Sequence, residues 1–143
     1  MKKTLLTLLS LILLTQTGFS AGIGYIDYYK VVTTYPLAQK YRKELLNKSN
    51  AINNYTKNQE NKILQAKDKE TKNQLRDKGI AEIKKMQKDY AILREQREQE
   101  IQNKIKLTAD KVKEQKKLDI IIKKDASVTG GIDVTQDVIN GLK

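Results

Sequence analysis

From Pro36 onward, residues 36–117 contain no second proline and a single glycine, Gly79. Ala, Leu, Glu, Lys, Gln and Arg fill this stretch, residues that lose little side-chain freedom on entering a helix. Pro36 opens it where a helix accepts proline, in the first turn, where the missing N–H has no intrahelical partner anyway. The apolar residues recur at helical spacing in a thin line. Tyr41, Leu45, Ile52, Tyr55 and Ile63 make one series, and Ile80, Ile83, Tyr90, Leu93, Ile101, Ile105 and Val112 a second. So narrow a line suits a coiled-coil-like seam and not the broad apolar face of a helix packed in a globule.

Between the two series the line lapses. Residues 67–74 include no apolar side chain, and Arg76-Asp77-Lys78-Gly79 follows Leu75. One unbroken helix would be on the order of 120 Å long. The chain ends decide against it. Ile23-Gly24-Tyr25-Ile26-Asp27 is β-prone, and so are Asp119-Ile120-Ile121-Ile122, Ser127-Val128 and Ile132-Asp133-Val134. Strands this short are not stable alone, and pairing them requires the helical stretch to reverse. The expectation is an antiparallel hairpin over 36–117 with its tip near 68–79, turning at Asp77-Lys78-Gly79. If the arms are equal, facing positions sum to about 153, the diagonal that pairs Tyr41 with Val112, Ile52 with Ile101 and Ile63 with Tyr90; the neighbouring diagonal, one turn away, pairs Tyr55 with Ile101. Tyr28 to Thr34 reads as one or two helical turns. Gln136 to Leu142 reads as a short closing helix with Thr135 as N-cap, Asp137 in its first turn and Val134 stapled to Ile139. Gly130-Gly131 reads as a turn that needs positive φ.

Residues 1–20 have a different character. Lys2 and Lys3 precede a ten-residue apolar stretch from Leu5 to Leu14, and small residues follow at Gly18, Ser20, Ala21 and Gly22. This is the layout of a secretory signal peptide, with an apolar core too short to span a bilayer. Cleavage after Ser20 places Gly18 and Ser20 at the small-residue positions, whereas cleavage after Ala21 would put Phe19 at one of them. The chain is thus expected to act in the periplasm.

Cysteine and histidine are both absent. That removes disulfides, thiolate chemistry, thiolate zinc sites and the commonest general base and metal ligand. No catalytic residues, metal or cofactor are expected, and the chain reads as a non-enzyme. The net charge is +11, lowered to +9 by loss of Lys2 and Lys3. For an exported protein such charge favours acidic polypeptides, lipopolysaccharide or anionic phospholipid over nucleic acid as partners.

Laid out this way, the chain resembles the Skp/OmpH family of periplasmic chaperones. At the front, Ile23-Gly24-Tyr25-Ile26-Asp27, then Lys30-Val31-Val32 and Pro36, is similar to the family's opening element. At the back, Leu118-Asp119-Ile120-Ile121-Ile122, Gly130-Gly131, Asp133-Val134-Thr135 and Asp137-Val138-Ile139 resemble its closing segment, the more specific of the two signals. Two departures are Gly24, where family members usually carry Ala or Val, and rather short arms. The resemblance implies a mostly α protein with a small β body. In that arrangement a long antiparallel helical hairpin projects from a short-stranded β-barrel formed on trimerisation. Residues 21–35 and 118–143 would form this oligomerisation body, through Ile23, Tyr25, Ile26, Ile120, Ile121, Ile122, Val128, Ile132 and Val134. The implied function is ATP-independent holding of unfolded outer-membrane proteins by a homotrimer. A structural or adaptor coiled-coil protein of the envelope is the competing reading.

Two sets of side chains are candidates for the binding work. Lys67, Lys69, Lys72, Arg76, Lys78, Lys84, Lys85 and Lys88 put a positive excess around the tip, suited to acidic clients or anionic lipid. The plainer alternative is a solvated face stabilised by Lys–Glu pairs one turn apart. Tyr41, Tyr55 and Tyr90 offer an apolar body and a polar end, serving either client contact or packing in the seam.

Overall fold

The computed structural model describes residues 22–143; the expected signal peptide, residues 1–20, lies outside them. Two long helices dominate: α2, Pro36–Gln65, and α3, Lys69–Gln115. Pro36 occupies the first turn of α2 as its chemistry dictates. The two helices pair along their length as an antiparallel hairpin.

The turn is at residues 66–68 and not at Asp77-Lys78-Gly79, which lie inside α3. Ala66 leaves the helix in an extended conformation (φ −65, ψ 136) while its N–H still reaches the Lys62 carbonyl. Asp68 then starts α3: its carboxylate accepts the Thr71 N–H at 2.7 Å. Glu70 adds a negative charge to the first turn of α3. The same hydrogen bond holds the Asp68 carboxyl below the usual carboxylate value. Gly79 has another reason to be glycine. A Cβ there would lie 2.6 Å from Gln59 Cγ, so the glycine lets Gln59 pack flat on α3.

The equal-arm register fails for a related reason. Tyr41 Oη donates to Glu100 Oε2 at 2.7 Å, and Arg97 pairs with Glu44 at 3.0 Å. These positions sum to 141, not 153, so Tyr41 does not face Val112 and Ile52 does not face Ile101. The helices are unequal, with 30 residues in α2 and 47 in α3. The extra turns of α3 run past the start of α2 and carry the body.

That body begins with β1, Ile23–Ile26, and α1, Tyr28–Thr34, and is completed by β2, Ile120–Lys123, β3, Ile132–Asp133, and α4, Thr135–Gly141. β1 is the central strand of an open, wholly parallel sheet in the order β2-β1-β3. Ile23 lies beside Ile120 and Gly24 beside Ile121, which joins the two chain ends as expected. A 3-10 turn, Lys124–Ala126, follows β2. Gly130 and Gly131 then take φ of 78 and 95, a conformation that side chains rarely adopt, as the chain swings across to β3. Gly24 is explained by its neighbours: a Cβ would sit 2.8 Å from Leu118 Cδ1, so Leu118 already fills the space that a larger residue would use.

The core lies where these pieces meet. Val31 from α1 and Val134 and Val138 beside and within α4 are fully buried, with Ile26, Ile105, Val112, Leu118 and Ile139 around them. Two residues expected at an intersubunit face, Ile26 and Val134, are therefore used within the subunit. Of the others, Ile23, Ile120, Ile132 and Val128 are exposed, Val128 at 98 %, while Tyr25, Ile121 and Ile122 are half-buried.

Thr135 is not the cap of α4. Its hydroxyl accepts the Asp27 N–H at 2.9 Å, tying the two halves of the body together, and Asp133 accepts the Thr135 N–H at 2.9 Å instead. Hydrogen bonding to Thr135, through its side-chain hydroxyl first and its N–H second, holds the Asp133 carboxyl below its ordinary value of 3.8. A carboxyl lowered by folding stabilises the protein above its unfolded value and loses that contribution as pH falls through the folded value. Urea titrations should accordingly show stability dropping below about pH 4, and less steeply in Asp133→Asn. Equal slopes in the two proteins would mean that Asp133 does not carry the effect.

Candidate functional site

The distal arm is thin by construction. Beyond Tyr41 and Ile101 it buries only Gln59 and Gly79 among the described residues, and Ile52, Tyr55, Ile63, Ile83, Tyr90 and Leu93 stay half-buried. Two helices in contact have one seam between them, too little to cover a larger apolar set. Near the tip the seam is polar: the buried Gln59 side chain donates to the Leu75 carbonyl at 2.7 Å.

Around this arm stand the eight basic residues singled out from the sequence. Lys67 is in the turn and Lys69 opens α3, while Lys72, Arg76, Lys78, Lys84, Lys85 and Lys88 follow along it. All are exposed except Lys72, which is half-buried. None takes part in any ion pair found among the described residues; those pairs are Arg97 with Glu44 and Glu100, Lys113 with Asp110, and Lys116 with Asp137. Helix-stabilising Lys–Glu pairs thus do not account for the positive charge of the tip.

The three tyrosines have separate fates. Tyr41 is buried at the base of the hairpin, with Arg97 stacked 4.3 Å over its ring and its hydroxyl on Glu100. Arg97 in turn makes two hydrogen bonds to Glu44, at 3.0 and 3.2 Å, a fork-to-carboxylate match. The Glu100 hydrogen bond raises the Tyr41 phenol above its usual range, and the Glu44 hydrogen bond raises the Arg97 guanidinium. This set crosses from α2 to α3 and locks the arms, so Tyr41 serves packing in the seam, and its ring also lines a groove beside it. Tyr55 is half-buried along α2. Tyr90 is half-buried at the edge of an open groove of about 450 Å³.

That groove lies between α1, α2 and α3 at the base of the hairpin. Val32, Ala38, Leu45 and Ile101 make its apolar floor, and Arg42 and Arg94 stand on its rim. Sequence reasoning missed it, because three separate elements supply its walls. One signal was available. Only four of the 28 basic residues are arginine, and Arg42, Arg94 and Arg97 all line this groove.

Among the described residues, no helix is long and apolar enough to cross a membrane. No protein-family model matches the chain, and no curated protein compared with it is significantly similar.

Proposed function

We propose that the chain is an ATP-independent holding chaperone of the periplasm, akin to the Skp/OmpH family, that keeps unfolded outer-membrane proteins from aggregating. The observation that carries this reading is the pairing of excess with absence: exposed cations without carboxylate partners, on an arm that buries almost nothing. Such an arm offers many weak contacts and no deep site. Several arms around one client raise the effective concentration of each contact while letting any single one exchange quickly. An arm with so little buried surface also opens and bends at low cost.

The open sheet supports a homotrimer. Among the described residues, β2 and β3 each have an unpaired edge, and Ile23, Ile120, Ile132 and Val128 are exposed around them. Exposed edges and apolar residues of this kind need a partner to avoid nonspecific pairing. Strands from three copies closing into a β-barrel would provide it, with the hairpins projecting from one side. The exported location rests on the reading of residues 1–20. Lipopolysaccharide or anionic phospholipid at the basic tip is a further partner compatible with the charge.

The test is light scattering from an unfolded outer-membrane β-barrel protein diluted out of urea, without ATP. Scattering is expected to fall when the protein is present. That protection should weaken several-fold as salt rises from about 0.1 M to about 1 M, which shortens the screening length from about 10 Å to about 3 Å. No protection at equimolar trimer would defeat the reading, and salt-independent protection would remove the electrostatic part of it.

A further inference from the structure

The arginines at the base of the hairpin differ from the lysines of the tip in both chemistry and setting. Arg97 is consumed by Glu44 and Glu100. Arg42 and Arg94 are exposed on the groove rim and have no carboxylate partner among the described residues. Between them lies uncovered apolar surface, including Leu46, which is 58 % exposed. We propose that this groove docks extended client segments in which an aromatic or large aliphatic side chain neighbours a carboxylate. The inference rests on the holding function above and moves the specific part of client contact from the tip to the base.

Three observations favour this occupant. The first is charge. Arg97 holds both Glu44 and Glu100, while Arg42 and Arg94 reach the groove rim without an ion-pair partner among the described residues and present free guanidinium groups beside its apolar floor. Arginine, unlike lysine, meets a carboxylate with two parallel hydrogen bonds, and its concentration here in a lysine-rich chain suits recognition better than general attraction. The second is size: a groove of about 450 Å³ is within the range of sites that enclose a compact group. The third is support. The floor includes Ile101, which is buried in the core, and Tyr41, held by Glu100 and Arg97, so the groove is built on a well-packed part of the hairpin. Strands of membrane β-barrels alternate apolar and polar residues and carry aromatic side chains near both interfaces. An unfolded strand can therefore present the required pair of groups repeatedly.

The probe is a short labelled peptide alternating Tyr with Glu and Ser, followed by fluorescence anisotropy with the purified protein. Companion peptides replace every Glu by Gln, or every Tyr by Ser. Arg42→Glu with Arg94→Glu should weaken binding of the first peptide by about tenfold or more. Lys84→Glu, Lys85→Glu and Lys88→Glu together should weaken it less, by about threefold at most, because the tip supplies general attraction and not the docking contacts. Both companion peptides should bind more weakly than the first. Circular dichroism checks folding, and Arg42→Gln with Arg94→Gln replaces the charge-reversed pair if that pair misfolds. Loss of binding in the tip variant but not in the groove variants would overturn the proposal, as would equal affinity for the Glu and Gln peptides. Displacement of the peptide from the groove by anionic vesicles, but not by unlabelled peptide, would assign the groove to lipid instead. Binding that appears only on dilution to monomer would assign it to a second copy of this chain. In the scattering assay, a wild-type protein that protects and a groove variant that protects equally would sink the groove and leave the holding function standing. A wild-type protein that does not protect would sink the holding function itself.

Discussion

Val138→Asp is expected to unfold the body. Val138 has no exposed surface and packs in the cluster where α1, α4, β1 and α3 meet. The nearest buried polar groups, such as the Thr135 hydroxyl, are already engaged. A carboxylate placed there has no counterion, and an uncompensated buried charge costs on the order of 3–5 kcal/mol. Total stability of a domain is roughly 5–15 kcal/mol, and for a small body near the low end of that range the loss removes most of it. The conservative control, Val138→Ala, deletes two methyl groups and should cost about 2 kcal/mol from lost transfer energy and the cavity left behind. Urea denaturation followed by circular dichroism separates the two outcomes. If Val138→Asp melts like the wild type, α4 is not the closing piece of the body.

The second large effect is a covalent one. The chain has no cysteine, so introduced pairs report without background. A Cβ at position 79 lies 2.6 Å from Gln59 Cγ, which places the two Cβ atoms within the separation a disulfide requires. Gln59→Cys with Gly79→Cys should crosslink on mild oxidation. Closing a loop of that size should raise stability by about 3 kcal/mol, less any strain from the lost glycine. Ile52→Cys with Ile101→Cys, the pair favoured by equal arms, should stay reduced. Crosslinking of the second pair and not the first would overturn the register described above.

The two pairs also show where sequence reasoning succeeds and where it stops. The hairpin, the pairing of the two strand segments and the short helix after Asp27 follow from apolar spacing and β-branched runs, whereas the cap at Asp27 emerges only from the structure. Asp27 accepts the Lys30 N–H just as an N-cap should. The turn was misplaced because Gly79 is the most conspicuous breaker in the stretch, yet glycine also serves close approach, and only the neighbouring helix reveals which. The true turn was legible in principle from Asp68-Lys69-Glu70-Thr71, an N-cap with an acidic first turn. The register failed because midpoint arithmetic assumes that both helices start at one level, whereas α3 continues into the core of the body through Ile105 and Val112. For the candidate binding residues, charge composition pointed to the tip, where the structure leaves all the basic candidates but Lys72 exposed. The apolar floor of the groove at the base could not be read, since Val32, Leu45 and Ile101 come together only after the fold is known; the few arginines were its one sequence signal.

These corrections change the division of labour along the arm. Among the described residues, the tip carries exposed charge without ion-pair partners, the seam buries little, and the base joins well-packed residues to an open groove with an apolar floor. If the proposed holding function is right, a protein with that layout would attract an unfolded chain broadly and grip it locally, without a step that consumes energy.

Native mass spectrometry of the protein mixed with an unfolded outer-membrane β-barrel protein tests this account most directly. It should detect a complex of three copies of this chain with one client, dissociating as ionic strength is raised. A protein that remains monomeric and carries no client would contradict both the trimer and the holding function.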